Sequence, residues 1–263
     1  DDALLKPLIR GLYYPESPYE FSVFTADILG QVYEQFLGKV ITLSPSHKAT
    51  VEEKPEVKKA GGVFYTPTYI VDYIVRQTVG PLVEGKSPKQ IEKIRVLDPA
   101  CGSGSFAIGA YQFLLDWYLD YYLTHDPERH AKGKAPVLVA APGGGWTLTT
   151  TERKRILLAH IYGVDIDSQA VEVTKLSLLL KVLEGETAQS VQRELIQERV
   201  LPDLGDNIKC GNSLIGSDFY AQPDLPEMDD EAHLRINVFD WDGKDGFREV
   251  MKEGGFDAVI GNP

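Results

Sequence analysis

Residues 94–107 read Ile94-Arg95-Val96-Leu97-Asp98-Pro99-Ala100-Cys101-Gly102-Ser103-Gly104-Ser105-Phe106-Ala107. The apolar run Ile94–Leu97 predicts a strand, the Gly-rich stretch a turn, and the residues from Ser105 a helix. Gly102 and Gly104 let the backbone turn tightly and approach a ligand where a Cβ would collide. The spacing of Gly102, Gly104 and Ala107 also satisfies the dinucleotide fingerprint. On glycines alone a nicotinamide dinucleotide stays open, and so does a tight turn that binds nothing.

Outward from this stretch, short apolar runs alternate with helical ones. Ile161–Val164, Ile208–Cys210 and Ala258–Ile260 join Ile94–Leu97 as strand candidates, and Ser105–Tyr122 and Ser168–Leu183 are the strongest helix candidates. Such alternation predicts an α/β fold, a parallel sheet covered by helices on both faces. Upstream, Phe24, Ile28, Leu29, Val32 and Phe36 predict a helix over Ser22–Leu37. The Lys-, Glu- and Pro-rich Ser44–Lys59 reads as an exposed linker. A helix is expected from Thr66-Pro67, with Thr66 as cap and Pro67 in the first helical position. His125–Trp146, containing Gly143-Gly144-Gly145, reads as an insertion loop, after which Thr149 and Glu152 form a capping box.

Composition narrows the class. The 263 residues suffice to bury a core, and 43% hydrophobic with 25% charged residues is ordinary for a globular chain. No apolar run approaches the roughly 20 residues of a membrane span. The opening Asp1-Asp2 carries no signal peptide, and the missing initiator Met points to a fragment. Cys101 and Cys210 are far apart and form no Cys-x-x-Cys pair, so neither a disulfide scaffold nor a zinc site is expected, and a reducing cytoplasm fits. A net charge of −12 argues that any grip on nucleic-acid phosphates lies mainly elsewhere.

Asp98 shifts the reading of the glycine turn. A carboxylate at its mouth repels a pyrophosphate and favours a cation, here the amino group and sulfonium of S-adenosylmethionine. In Gly163-Val164-Asp165-Ile166-Asp167, Asp165 is placed to accept from both ribose hydroxyls and Ile166 to lie on the adenine ring. Asp167 reads instead as a helix cap. In Gly211-Asn212-Ser213-Leu214, Asn212 either reads the adenine edge or simply forms a turn. The chain closes with Asp257-Ala258-Val259-Ile260-Gly261-Asn262-Pro263, a strand followed by Asn-Pro.

In this order the four elements resemble the amino-group DNA methyltransferases, whose active site carries Asn-Pro-Pro-Tyr or Asn-Pro-Pro-Phe. Gly62-Val63-Phe64-Tyr65-Thr66-Pro67 resembles the segment that closes over the cofactor's methionine end. Its position before the glycine loop matches the gamma arrangement of adenine-N6 enzymes. Leu29-Gly30-Gln31-Val32-Tyr33-Glu34 resembles the helical leader of large restriction-modification proteins, either fused restriction-methylation enzymes or modification subunits. The resemblance runs from about Asp27 to Pro263. Asn212 stands where the family often has an acid.

The resemblance implies a Rossmann-like S-adenosylmethionine-dependent methyltransferase fold, represented by its first strands. Residues 1–60 would be helical leader and linker, and 61–263 the N-terminal, cofactor-binding part of the catalytic domain. Implied cofactor contacts are Tyr65, Thr66, Pro67, Asp98, Pro99, Ala100, Cys101, Gly102, Gly104, Phe106, Asp165, Ile166, Asn212 and Ser213. Asn262 and Pro263 would be catalytic. The implied reaction is methylation of adenine N6 in double-stranded DNA, the base flipped out, within a restriction-modification or phage-defence system. A nuclease or specificity module is an expected partner, and this stretch alone is expected to bind cofactor with little turnover.

A methyltransferase of protein glutamine or RNA shares the same chemistry at nitrogen, whereas N4-cytosine enzymes usually carry Ser where Asn262 stands. An oxidoreductase needs its ribose acid about 20 residues after the glycines. Asp165 comes far later, and Asp116 and Asp120 lie within a helix candidate. A non-catalytic subunit retaining the fold is the third class. Tyr13, Tyr14, Tyr19 and the Trp117–Tyr122 aromatics read as packing residues, His125, His130 and His160 lack ligand spacing, and Glu227–Glu231 reads as a solvated loop.

Overall fold

The computed structural model describes residues 5–7, 10–11, 16, 28–30, 32–33, 39–43, 48–53, 66–141, 143–185, 201–221 and 236–262. In chain order its elements are the hairpin β1 (Lys39–Leu43) and β2 (Ala49–Glu53), and helices α1 (Thr68–Thr78), α2 (Gly80–Val83) and α3 (Pro88–Ile91). Next come β3 (Val96–Asp98), α4 (Ser105–Thr124), α5 (Pro127–His130), the hairpin β4 (Leu138–Ala140) and β5 (Trp146–Leu148), and α6 (Thr150–His160). The remainder is β6 (Ile161–Asp165), α7 (Ser168–Leu183), β7 (Ile208–Cys210), α8 (Arg248–Lys252) and β8 (Ala258–Val259).

The expected parallel sheet is present. Its order is β7-β6-β3-β8, and every pairing is parallel. Because side chains alternate along a strand, the two central strands, β3 and β6, each feed two cores. Val96, Ile161 and Ile208 join Val71, Leu114, Ile156 and Leu178 from the helices of one face. Leu97 and Val164 point the other way, into Phe239, Phe247 and Val250. β3 starts two residues later than its apolar run, because the Ile94 carbonyl accepts a hydrogen bond from the His160 ring at 2.6 Å instead of joining the sheet.

Several expectations are corrected. Within Ser44–Lys59 lies β2, which pairs antiparallel with β1, so part of the supposed linker is an exposed hairpin. Its Thr50 and Thr42 hydroxyls meet across the pair at 2.9 Å. The insertion 125–146 holds α5 and, with Leu148, a second hairpin whose return runs through Gly144 and Gly145 at positive φ. α1 begins at Thr68 with Pro67 at the cap and no side-chain cap from Thr66. Of the leader helix, residues 28–30 and 32–33 are helical, and the rest lies outside the described residues, as do Tyr13, Tyr14, Tyr19 and 227–231.

α4 is the hub. In its second turn, Gly109 costs about 1 kcal/mol of helix propensity. It is required nonetheless, since a Cβ there would sit 2.5 Å from Val71 of α1. Thr149 caps α6 by accepting the Glu152 N–H at 3.3 Å. The reciprocal half of the capping box is absent, because the Glu152 carboxylate turns inward. It accepts from Tyr122 at 2.8 Å and from Arg155 at 2.7 and 2.8 Å while only 4% exposed. Beside it the Tyr118 hydroxyl meets His160 Nε2 at 2.9 Å, and burial holds the imidazole below its usual pKa. The aromatics of 117–122 therefore pack α4 against α6, and Trp117 stacks on Tyr121. No helix among the described residues is long and apolar enough to cross a membrane.

Glu152→Ala strands the buried Tyr122 hydroxyl and half-frees Arg155. We expect a loss of about 2–3 kcal/mol, read as a lower urea midpoint, while Glu128→Ala, an exposed residue paired with Lys132, changes it by under about 0.5 kcal/mol.

Candidate functional site

From β3 the chain moves sideways to β6 and β7, then returns across the sheet to β8 on the other side of β3. Strand order therefore reverses between β3 and β8, and open parallel sheets hold ligands outside the carboxyl ends at such a switch point. Two loops meet there: 98–104 after β3, and 260–262 after β8.

The first loop is held on three sides. Cys101 N–H donates to the Val164 carbonyl at 2.9 Å. Gly102 N–H donates to Asp165 Oδ2 at 2.7 Å, and the Gly102 carbonyl accepts from Thr174 Oγ1 at 2.8 Å. Gly102 and Gly104 have φ of 52° and 90°, the left-handed region. Their surroundings differ. A Cβ on Gly104 would lie 2.9 Å from Thr174 Oγ1, so that glycine serves helix packing. A Cβ on Gly102 would meet nothing within 4 Å, so the loop presents bare backbone to open space there.

Asp165 ends β6, and its other oxygen accepts the Asp167 N–H at 2.9 Å. Each of its oxygens spends one lone pair on the backbone and keeps another, which suits a partner with two hydroxyls. Burial raises its pKa, the two N–H donors oppose that, and nearby Asp167 adds to it. Next to it Ile166 is 49% exposed, an aliphatic side chain half open to solvent. Asp167 caps α7 through the Gln169 N–H at 2.8 Å, the role expected of it. The leader reaches this region too: the Tyr33 hydroxyl donates to Asp167 at 3.3 Å, and a Cβ on Gly30 would lie 3.3 Å from the Ser103 side chain.

Asp98 lies elsewhere than at the mouth of the loop. It is 3% exposed, beneath the turn, where Oδ1 accepts the Ala100 N–H at 3.1 Å. Burial first, and the Asp165 charge in addition, raise its pKa to about 7, against the pull of that N–H. Gly261 passes so close that a Cβ would lie 2.7 Å from Asp98 Oδ1. The Gly of Gly-Asn-Pro is thus what lets the second loop close over the first. Beyond it Asn262 Nδ2 donates to Thr66 Oγ1 at 3.4 Å, bringing the segment before α1 to the same crevice.

Among the other expected residues, Pro99 and Ala100 are half-buried in the loop. Cys101 and Phe106 are 4% exposed and belong to the core that supports it. Pro67 is exposed beside Thr66. Asn212 Oδ1 accepts the Leu214 N–H at 3.1 Å, which is the turn alternative realised. The Ser213 carbonyl accepts from Trp241 at 3.3 Å. Tyr65 and Pro263 lie outside the described residues. A cleft of about 890 Å³ along the β7 edge, lined by Lys175, Lys209 and Lys244 with Asp206, Glu172 and Asp245, contains none of these residues.

Two contributors escaped the sequence reading. Thr174 lies mid-helix in α7, where nothing local marks it. Asn237, at φ 47°, accepts the Asn212 N–H on its carbonyl and donates Nδ2 to the Ile166 carbonyl at 3.2 Å. It thereby ties the loop after β6 to the loop after β7. Positive φ in a non-glycine is uncommon and Asn tolerates it best, but the conformation is invisible in Arg235-Ile236-Asn237-Val238.

A family model described as "N-6 DNA Methylase" matches residues 24–200, and one described as "Eco57I restriction-modification methylase" matches residues 159–263. The chain is 36% identical over 257 residues to the type II restriction enzyme and methyltransferase RM.Eco57I of Escherichia coli, covering 97% of this chain and 23% of that protein. It is 23% identical over 208 residues to the adenine-specific methyltransferase PglX of Streptomyces coelicolor, covering 78% of this chain and 15% of that one. The chain thus spans under a quarter of the length of these relatives. Among solved structures, the DNA-bound ATP-dependent Type ISP restriction-modification enzyme LlaBIII aligns with a TM-score of 0.47 at 15% identity, over 100% of this chain and 13% of that one.

The buried Asp98 dictates a pH effect. A carboxyl whose folded pKa is raised stabilises the fold fully below its unfolded pKa near 4, and that stability is lost as pH rises through about 7. Asp98→Asn has nothing to ionise. Relative to the variant, the parent should lose up to about 4 kcal/mol between pH 4 and 7 and nothing further above it, measured by urea unfolding across that range. Parallel pH curves for the two proteins would contradict the burial.

Proposed function

Since the chain belongs to the N-6 DNA methylase family, matched over residues 24–200, we propose that it forms the cofactor-binding and leading catalytic part of an enzyme that methylates adenine N6 in DNA, from S-adenosylmethionine, within a restriction-modification or phage-defence system. The observation carrying this reading is the crevice at the switch point. One wall is the bare Gly102 backbone with Asp165 and Ile166, and the other is Asn262, seated by Gly261 and tied to Thr66.

The residues present fit that cofactor. Asp165 has lone pairs for a ribose diol, Ile166 an aliphatic face for a purine, and Gly102 open space for close approach. The buried Asp98 provides a counter-charge to an ammonium or sulfonium cation, which draws the carboxyl toward its ionised form. S-adenosylmethionine, when bound, supplies an electrophilic methyl group.

The exocyclic nitrogen of adenine is a poor nucleophile, because its lone pair is delocalised into the ring. With Asn262 Nδ2 turned to Thr66, the Asn262 Oδ1 is left to accept one N6 hydrogen. The Pro263 carbonyl would accept the second, as the family resemblance implies. Two acceptors fixed beforehand pull the nitrogen toward tetrahedral geometry and stabilise the positive charge that develops on it. Anchoring both loops to one strand end supplies the positioning. N6 is engaged in pairing within a duplex, so the target adenine has to be flipped out. The substrate is double-stranded DNA, met in the cytoplasm, with a nuclease or specificity module as partner.

Asn262→Ala in the natural polypeptide should lower the transfer of labelled methyl to adenine-containing DNA by at least about a hundredfold, with cofactor affinity within about twofold of parent. Label appearing in RNA or a protein glutamine instead of DNA would overturn the substrate. Calorimetry at several pH values tests the cofactor separately. Affinity for S-adenosylmethionine should rise with pH through about 7 in the parent and stay flat in Asp98→Asn.

A further inference from the structure

α1 has two faces. Val71 and Val75 are buried toward α4, with Ile70 and Ile74 half-buried beside them. The opposite face carries Tyr69, Tyr73 and Arg76, at the i, i+4, i+7 spacing that forms one stripe, with Asp72 and Gln77 alongside. Tyr69 is 73% exposed and Tyr73 66% exposed, the largest such values among the exposed tyrosines of the described residues. Phenol rings left so open are usually there to be covered.

Three observations say by what. The first is continuity with the crevice. Thr66, two residues before α1, is bonded to Asn262, and helix side chains lean toward the N-terminal end, here toward Thr66. Tyr69 and Tyr73 therefore lie within about two turns, roughly 11 Å along the helix, of Thr66. The second is charge. Arg76 and Asp72 cancel, so the stripe offers phosphates nothing, and a face meant for the DNA backbone would carry several cations. The third is chemistry. No aliphatic side chain is exposed on the stripe, as an apolar seam between proteins would require, whereas two ring faces and a guanidinium are what unpaired nucleobases stack on.

We propose that Tyr69 and Tyr73, flanked by Arg76, form a stacking platform for bases of the DNA strand that lose their partners when the target adenine is withdrawn. This rests on the DNA reading above and adds a surface by which an acidic chain holds DNA without gripping phosphates.

The test uses the natural polypeptide with S-adenosylhomocysteine present. Two duplexes are compared, one fully paired and one with mismatched bases around an adenine, by fluorescence anisotropy. Tyr69→Ser/Tyr73→Ser should weaken binding to the mismatched duplex about tenfold or more, and to the paired duplex about threefold at most, with the salt dependence unchanged. Tyr69→Phe/Tyr73→Phe, which keeps both ring faces, should bind as the parent does. A 5-iodouracil base beside the adenine should cross-link to the peptide containing Tyr69 and Tyr73. If the Ser variant binds both duplexes like the parent while methylating DNA normally, the platform is wrong and the methyltransferase reading stands. If the parent holds cofactor but no DNA, the substrate reading falls and the platform with it. If the parent self-associates and the Ser variant does not, the stripe is a seam between copies and the platform is overturned.

Discussion

Everything at the crevice depends on where the Gly102 peptide is pinned. Its N–H is taken by Asp165 from β6 and its carbonyl by Thr174 from α7, while the preceding Cys101 N–H bonds the β6 backbone. Three separately folded pieces, the loop after β3, the end of β6 and the second turn of α7, meet through one peptide unit. Each of those bonds satisfies a backbone group that is at least partly shielded from water. The loop therefore has one low-energy shape, and Gly104 accepts the close packing of Thr174 that the shape imposes.

The carboxylates are held under the same constraint. Asp165 cannot leave without freeing two backbone donors, and Asp98 is enclosed between Ala100 and Gly261. Neither is an exposed side chain waiting for a ligand. Both are frame members, bonded to the backbone of the loops they support. This changes the electrostatic argument drawn from sequence. A carboxylate at the mouth of a loop selects a cation by long-range attraction. On the proposed function, a buried one whose pKa is raised to about 7 would do so by ionising when the cation arrives, which would make the selection local and coupled to proton release.

The sheet was legible because its signals are local. Apolar runs such as Ile208–Cys210 and the helix Ser168–Leu183 match the structure end to end, since strand and helix periods are written in neighbouring residues. The β1–β2 hairpin was not legible. Ala49–Glu53 sets Ala49 and Val51 among Thr50 and two Glu, with residues 49–52 exposed, and its pairing partner rather than its own composition makes it a strand. At the site, the glycines, Asp165 and Asn262 could be singled out, yet the bonds that place them could not. Thr66 to Asn262 spans 196 residues and Thr174 to Gly102 spans 72. Such contacts belong to topology, as does the role of Asn237. The resemblance to a known family named Thr66, but its hydrogen bond to Asn262 came only from the structure.

The net charge of −12 sets two demands against each other. A cationic cofactor favours acid at the site, and polyanionic DNA favours its removal. The arrangement of this chain satisfies both by depth. The acids that would serve the cation, Asp98 and Asp165, are under or within the loop and bonded to backbone N–H groups that spread their charge. The groups on the outer side of the crevice, Asn262, Thr66 and the tyrosines of α1, are neutral. With the Debye length about 8 Å at physiological salt, charges elsewhere on the surface reach the target base only weakly. On the proposed function, recognition of the amine would depend on hydrogen-bond geometry and ring stacking, which an overall negative charge leaves largely untouched, so an acidic chain and a DNA substrate would be compatible at this site.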